Sequence, residues 1–365
     1  MMMNSLLRLV LAAPRLSAAL TLASASAAAV ETSVEAPGPA GALKGVMLTA
    51  GATPAPLALI IPGSGPTDSD GNNPLGLRAS TYKLLAQDLA ARGVATVRID
   101  KRGMFASAAA VADPNAVTIE DYVADVHAWA GALRQRTGAP CIWLIGHSEG
   151  GLVAMAAAAK DAPGICGQVL ISAAGRPLGL VLRDQLKANP ANAPVLGQAM
   201  AAIDSLEQGR RVNTAQLHPA LQGLFPAQVQ GFLMSVFSYD PVTLLKGYRK
   251  PVLVLQGQRD IQVSEADARS LKQAAPQAVL VLLPDANHVL KSVGSSDMRE
   301  SCNLRRSGPA AGAGRRERGS GLYRPQFETR LSKQPSKQPP AQSIQFTRSN
   351  LLRNSSDMAT TWLVL

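Results

Sequence analysis

Residues 146–150 read Gly-His-Ser-Glu-Gly, a spacing that can present a serine as a nucleophile. They directly follow an apolar run that is typical of a β-strand (141–145) and precede an alanine-rich stretch with helical composition (151–160). A tight strand–turn–helix connection places its central residue in a strained backbone conformation, and glycines two positions away let the strand and the helix approach closely. We therefore predict that Ser148 lies at the carboxyl edge of a sheet, above a helix N-terminus, and acts as a nucleophile.

A serine hydroxyl is weakly nucleophilic until a base removes its proton, and the chain has four histidines. His147 is adjacent to Ser148, so its side chain points elsewhere, and we expect it to line the pocket. His127 lies in a predicted helix and is expected to pack, whereas His218 falls in a long helical insertion. His288 follows the last predicted strand, and a loop at that position can direct it back towards Ser148. We predict that His288 is the base.

The base in turn needs a carboxylate that fixes its tautomer and stabilises its protonated form. Asp260 comes just after an apolar run at 251–255, at the carboxyl end of another predicted strand. Asp285 competes for this role because it is close to His288 in sequence, but a residue three positions away is poorly placed to reach the far side of the ring. We predict that Asp260 orients His288.

Acyl transfer also needs hydrogen-bond donors for the negative oxygen that develops on the substrate. One predicted donor is the backbone N–H of Glu149, the residue after the nucleophile. The loop at 62–66, Pro-Gly-Ser-Gly-Pro, follows the first long core strand, and its glycines let the backbone approach a substrate. We predict that the backbone N–H of Ser64 is the second donor.

These residues must be positioned by regular elements, and between 43 and 290 short apolar runs alternate with helical stretches. Strands are predicted at 56–61, 94–99, 141–145, 168–172, 251–255 and 278–283, and helices at 81–92, 118–136 and 151–160. Continuous apolar strands that alternate with helices favour a mostly parallel sheet covered on both faces. The alternation breaks at 178–248, which we predict to be a helical lid inserted between two core strands.

Residues 43–298 resemble the α/β-hydrolase superfamily, specifically the esterase-like enzymes grouped with the serine aminopeptidase (S33) hydrolases. The motifs that carry the resemblance are at 62–72, 100–103, 146–151, 257–260 and 287–288. The chain order Ser148, Asp260, His288 also matches that superfamily. The chain departs from the family at two positions that border the pocket there: Ser69 stands where the family usually has Arg, and Phe105 where it usually has Gly.

The resemblance implies an α/β-hydrolase fold, with a mostly parallel central sheet, helices on both faces and an inserted helical lid. It also implies a serine carboxylesterase-like hydrolase that cleaves small-molecule esters through an acyl-enzyme. An S33-type aminopeptidase or amidase is the alternative activity, and a non-enzymatic relative with an incomplete C-terminus is the alternative class. An esterase is favoured because no sequence feature suggests a site for the amino terminus of a peptide.

The 365 residues carry a formal net charge of +11, which would suit a nucleic-acid-binding protein if the charge lay on the folded body. From residue 299 onward, however, there are 12 basic and 4 acidic residues, whereas the rest of the chain has a net charge of only +3. The sequence therefore argues against a nucleic-acid partner. It also lacks an apolar run long enough for a membrane span, and it does not indicate an oligomeric state.

The two ends differ from the body between them. Residues 1–29 have two arginines, a short apolar segment and small residues at possible cleavage positions, which predicts a signal peptide and a periplasmic or secreted protein. The hydrolase domain is expected at 34–298. Residues 301–365 are basic and rich in Ser, Gly, Pro and Gln, which predicts a disordered tail. Codons can be chosen for 302–324 so that the neighbouring frame encodes a family-like ending, so we also hypothesise a frameshift from Ser301.

The chain has three cysteines. Cys141 and Cys166 precede or begin two strands that are neighbours in the resembled fold, so a disulfide between them is one expectation, and two free buried thiols are the other. Cys302 lies in the tail. No CxxC pair and no His/Cys/Asp cluster has the spacing of metal ligands, so we predict no metal and no cofactor.

Overall fold

The computed structural model describes residues 29–49, 51 and 55–293. Its main element is an eight-stranded sheet, whose strands we number in chain order. They are β1 (Val30–Ala36), β2 (Leu43–Thr49), β3 (Leu57–Ile61), β4 (Ala95–Ile99), β5 (Ile142–His147), β6 (Ile165–Ile171), β7 (Val252–Gly257) and β8 (Val279–Leu283). The signal-peptide prediction, apart from Ala29, and the predicted tail lie outside the described residues.

The strands are arranged in the order β1-β2-β4-β3-β5-β6-β7-β8. β1 and β2 pair antiparallel, as do β2 and β4, and every other pair is parallel. Parallel strands place their carboxyl ends at one edge of the sheet, so the loops after β3, β4, β5, β7 and β8 meet there. The prediction of a mostly parallel sheet is confirmed.

Both faces of the sheet are buried at its central strands, and the side chains of β3 show why its sequence is apolar without alternation. All five of its residues are buried. Leu57, Leu59 and Ile61 belong to one hydrophobic cluster, whereas Ala58 and Ile60 belong to the cluster on the opposite face. A strand covered on both sides must be apolar at every position, because successive side chains point to opposite faces.

The described residues contain nine α-helices. They are α1 (Thr81–Ala90), α2 (Ile119–Thr137), α3 (Glu149–Ala158), α4 (Leu178–Ala188), α5 (Leu196–Glu207), α6 (Pro219–Gln222), α7 (Gln230–Phe237), α8 (Pro241–Leu245) and α9 (Glu265–Ala274). The buried residues of α1 pack on one face of the sheet, and those of α2, α3 and α9 pack on the other. The chain thus covers both faces with helices, as predicted.

Helix α2 has residues at both ends that favour the start or the end of a helix. The side chain of Thr118 accepts a hydrogen bond from the amide of Asp121, whose carboxylate accepts one from the amide of Thr118, which is a reciprocal capping box. At the other end, Gly138 adopts a left-handed conformation with φ of 72°, which terminates the helix. In addition, Asp121 and Asp125 bind the buried guanidinium of Arg102 and join this helix to the loop after β4.

The stretch at 178–248, predicted as a helical lid, contains α4 to α8 between β6 and β7. These helices are tied to the body by polar contacts as well as by the core. The hydroxyl of Ser235 in α7 accepts a hydrogen bond from the amide of Ile119, and the hydroxyl of Tyr239 donates to Glu120 at 2.6 Å. The insertion therefore rests on the N-terminus of α2. No helix in the described residues is both long and apolar enough to cross a membrane.

Cys141 and Cys166 form a disulfide across 25 residues of chain, which decides between the two expectations for these cysteines. Ile142 at the start of β5 pairs with Ile165 at the start of β6, so the bridge joins the amino ends of two neighbouring strands. This end of the sheet is opposite to the edge where the loops after β3, β5, β7 and β8 meet.

Replacing both cysteines of this bridge with serine is expected to lower the free energy of unfolding by about 2–4 kcal/mol, because the unfolded chain regains the freedom that the cross-link removes. Urea denaturation monitored by circular dichroism measures this difference. As a control, a reducing agent should bring the native chain to the stability of the double variant and leave the double variant unchanged. Equal stability of the oxidised native chain and the variant would contradict the expectation.

Candidate active site

The turn between β5 and α3 places Ser148 in a strained conformation, with φ of 52° and ψ of −121°. The flanking glycines are required by close contacts. A Cβ atom on Gly146 would lie 2.2 Å from the carbonyl oxygen of Gly150, and one on Gly150 would lie 2.3 Å from the carbonyl oxygen of Ile61. The amide of Ser148 donates to the carbonyl of Ile171 in β6, at 2.9 Å, which fixes the turn against the neighbouring strand. The residue is partly exposed at the carboxyl edge of the sheet, as predicted.

Asp260 and His288 meet at the same edge, from the loops after β7 and β8. The Nδ1 atom of His288 lies 2.8 Å from Oδ2 of Asp260. The other carboxylate oxygen accepts hydrogen bonds from the amides of Gln262 and Val263, at 2.8 and 3.0 Å. Burial raises the pKa of this carboxyl, but His288 and the two amides outweigh burial and hold it below its usual range. Asp260 is therefore an acceptor that sets the orientation of the His288 ring.

The alternative carboxylate, Asp285, is exposed, and the ring nitrogen that it would have to reach is bound by Asp260.

The other histidines differ from His288 in their positions and contacts. His218 caps helix α6 by accepting a hydrogen bond from the amide of Ala220. His127 is exposed on α2, so the expectation that it packs in the interior is wrong.

His147 is buried beneath His288, so the expectation that it lines the pocket is also wrong. Its ring centroid lies 4.9 Å from that of His288, and its Nε2 atom lies 2.9 Å from the carbonyl oxygen of His288. On the other side, its Nδ1 atom lies 2.9 Å from the hydroxyl of Tyr82, which accepts a hydrogen bond from the amide of Gly63.

These contacts determine the tautomer of His147. Because the carbonyl of His288 can only accept, the neutral ring carries its proton on Nε2 and donates it to that carbonyl. Nδ1 therefore accepts from the hydroxyl of Tyr82, which in turn accepts from the amide of Gly63. Burial, together with the nearby His288 ring, lowers the pKa of His147 from 6.5 to about 4. One neutral side chain thus joins the loop before Ser64 to the loop that carries His288.

The two predicted oxyanion donors lie on either side of Ser148. A Cβ atom on Gly63 would lie 3.3 Å from the Cβ of Ser148, so the loop with Ser64 passes directly beside the nucleophile. The hydroxyl of Thr67 donates to the carbonyl of Ser64 at 3.0 Å and holds this loop. Within the described part of the chain, no oxygen accepts a hydrogen bond from the amide of Ser64 or of Glu149. Both amides are thus available to an oxygen bound beside Ser148.

One buried carboxylate binds Ser69 and the neighbour of Phe105, and Ser69 and Phe105 are the two positions where the sequence departs from the family that it resembles. Asp100 accepts hydrogen bonds from the amide of Ser69 at 2.8 Å and from that of Ala106 at 3.2 Å. Next to Ala106, Phe105 has a φ of 46°, in the left-handed region where glycine is favoured, and its side chain is 41% exposed. The phenyl ring borders a cavity of about 400 Å³. The other lining residues are Asp68, Asn72, Asn73, Pro74, Leu77, Arg78 and Ser80.

Comparison with known proteins agrees with this geometry. Residues 75–291 match the family described as serine aminopeptidase, S33. The chain belongs to this family. The matched range contains Ser148, Asp260 and His288, and the fold is that of an α/β-hydrolase. The loop with Ser64 lies before the matched range.

Individual relatives of this S33 family chain are distant. It is 26% identical over 255 residues to Esterase EstD of Thermotoga maritima, which covers 68% of this chain and 57% of that protein. The chain thus spans a little over half the length of this curated relative. Among solved structures, it is similar to Est1E from Butyrivibrio proteoclasticus, at 17% identity and a TM-score of 0.47, over 70% of this chain and 90% of that one. A Pyrococcus furiosus esterase is 18% identical with a TM-score of 0.48, over 72% of this chain and 83% of that one.

No group of three or more His, Cys, Asp or Glu side chains in the described residues could hold a metal ion. Tyr82 and the structural role of His147 were not found by the sequence analysis. No local signal could have identified them, because their partners lie 65 and 141 residues away along the chain.

We expect the stability of the fold to fall as the pH is lowered from about 6.5 to about 4, because the unfolded chain protonates His147 in this window while the native chain does not. The full effect is about 3 kcal/mol of unfolding free energy. Replacing His147 with Gln should remove this part of the pH dependence, as measured by urea unfolding at a series of pH values. The matched control is His127→Gln on the exposed face of α2, which should keep it. Identical pH slopes for His147→Gln and the native chain would show that His147 is not the titrating group.

Proposed function

We propose that this S33 family protein is a serine hydrolase that cleaves small-molecule carboxylic esters through an acyl-enzyme. The observation that carries the proposal is the hydrogen bond from Nδ1 of His288 to Asp260 at 2.8 Å, at the same edge of the sheet as a serine in a strained turn. A carboxylate acceptor keeps the proton of the neutral ring on Nδ1, so the lone pair is on Nε2, where it can take a proton from a nucleophile.

In this mechanism, Ser148 attacks the ester carbonyl while His288 accepts the hydroxyl proton. The negative oxygen of the tetrahedral intermediate accepts hydrogen bonds from the amides of Ser64 and Glu149. When the intermediate collapses, His288 returns the proton to the departing alcohol, which leaves the acyl group on Ser148. A water molecule, deprotonated by His288, then attacks the acyl group and releases the carboxylic acid and the free serine.

The choice of an ester over a peptide rests on one observation. The relative from Thermotoga maritima is named an esterase. The family description instead favours an aminopeptidase, which remains the alternative activity.

We expect the protein to hydrolyse p-nitrophenyl acyl esters much faster than aminoacyl p-nitroanilides. Replacing Ser148 with Ala should lower kcat by about 10⁶-fold, because the nucleophile of a triad is removed. Release of p-nitrophenolate from the esters and of p-nitroaniline from the anilides measures the two rates, and Ser238→Ala, an exposed serine after α7, is the matched control. Faster turnover of the anilides would replace the esterase proposal with an aminopeptidase, and ester turnover that survives in Ser148→Ala would exclude this nucleophile.

We also propose that the protein is exported and works in the periplasm or outside the cell. The Cys141–Cys166 disulfide supports this, since such bonds persist in oxidising compartments, as does the apolar, alanine-rich start of the sequence.

In a Gram-negative host, the periplasmic fraction should contain a protein that begins after Ala27 or Ala29. Terminal sequencing identifies this end, and Leu20→Arg, which places a charge in the apolar segment, should keep the protein in the cytoplasm. Recovery of the native chain with Met1 intact in the cytoplasmic fraction would contradict export.

A further inference from the structure

Lys101 is a buried cation beside the active site that the mechanism above does not use. It follows strand β4, and only 5% of its surface is exposed. Its ammonium group donates to the carbonyl oxygen of Gly63 at 2.7 Å and to Oε1 of Glu149 at 3.2 Å, and it lies 5.2 Å from the centroid of the Tyr122 ring. Burying a lysine carries a desolvation cost, which its hydrogen-bond partners must offset. Its role is therefore inferred from those partners.

The first partner belongs to the peptide unit that supplies a predicted oxyanion donor. The carbonyl of Gly63 and the N–H of Ser64 are two ends of one planar trans peptide, so they point in opposite directions. A hydrogen bond that fixes the carbonyl therefore also fixes the direction of the N–H. A positive charge at the oxygen further polarises the peptide and makes its N–H a stronger donor.

The second partner supplies the other predicted donor. Glu149 is buried, and the described residues offer no hydrogen-bond partner to its Oε2 atom. The ion pair with Lys101 thus compensates the charge of Glu149, at the N-terminus of helix α3. One ammonium group in this way contacts the carbonyl of Gly63, which shares a peptide unit with the amide of Ser64, and the side chain of Glu149.

We infer that Lys101 is a positioning residue of the oxyanion hole, an inference that rests on the proposed hydrolase function. It does not touch the substrate. It holds the Gly63–Ser64 peptide with its N–H directed towards the reacting oxygen, and it holds Glu149 in place on the other side. Its effect therefore appears when the oxyanion forms and is small for the neutral bound ester.

Lys101→Met keeps the length and apolar stem of the side chain and removes its charge. We expect kcat for the p-nitrophenyl ester to fall by about 10- to 100-fold, less than or equal to the loss of one oxyanion donor, with KM within about twofold. The matched control is Arg102→Met. It also leaves a buried carboxylate, that of Asp125, without its cation, but it does not remove a contact of the Gly63 peptide. It should lower stability without the same loss of kcat.

A purely structural role, in which Lys101 only neutralises Glu149, is separated by a double-mutant cycle. Lys101→Met is made both in the native chain and in Glu149→Gln, where no carboxylate is left uncompensated. We expect Lys101→Met to lower kcat in both backgrounds, because the carbonyl of Gly63 loses its partner in each, while its effect on stability is smaller in the second. If Lys101→Met no longer lowers kcat in the Glu149→Gln background, the inference is overturned.

A spectroscopic measurement decides the inference even if the ester proposal fails. In Lys101→Met, the amide proton resonance of Ser64 should move upfield, because the peptide loses the polarising charge, whereas Arg102→Met should leave it in place. A Ser64 amide resonance that is unchanged in Lys101→Met would overturn the inference. Absence of ester turnover in the native chain would instead reject the proposed function alone.

Discussion

A single buried and neutral histidine holds together the parts of the site that come from distant stretches of sequence. His147 donates to the carbonyl of His288 and accepts from Tyr82, which in turn accepts from the amide of Gly63. The carbonyl of His288 can only accept, so the neutral ring carries its proton on Nε2, and protonation of His147 would reverse the direction of its hydrogen bond with Tyr82. Because burial keeps His147 neutral, the loop of the candidate base and the loop of the proposed oxyanion donor stay joined by these hydrogen bonds.

The sheet determines where this chain of hydrogen bonds can form. Parallel strands β3, β5, β7 and β8 end at one edge, and each is followed by a loop that contributes to the site. The contact between Gly150 and the carbonyl of Ile61 brings α3 against the end of β3, which leaves no space for a side chain. The backbone of the Gly63 loop therefore passes directly beside Ser148. The charge of Lys101 enters from β4, the strand next to β3 on the other side.

The sequence was sufficient to place Ser148, Asp260 and His288 at one edge of the sheet, because each follows an apolar strand and parallel strands bring their carboxyl ends together. It was not sufficient for His147, whose neighbour in sequence is the nucleophile but whose partners come from two other loops. The antiparallel strands β1 and β2 were also missed. The first four residues of β1 are exposed, so this edge strand lacks the buried apolar run by which the others were recognised.

The Cys141–Cys166 bridge and the site lie at opposite ends of the same two strands. A covalent link at the amino ends of β5 and β6 contributes to how long the fold survives, whereas Ser148 and its neighbours depend on hydrogen bonds at the carboxyl ends. The bridge that stabilises the fold and the residues of the candidate site therefore lie in separate parts of the molecule. In a reducing environment the chain would become less stable before the arrangement of the candidate site was lost. A single measurement of activity on fresh protein would therefore not reveal whether the bridge is intact.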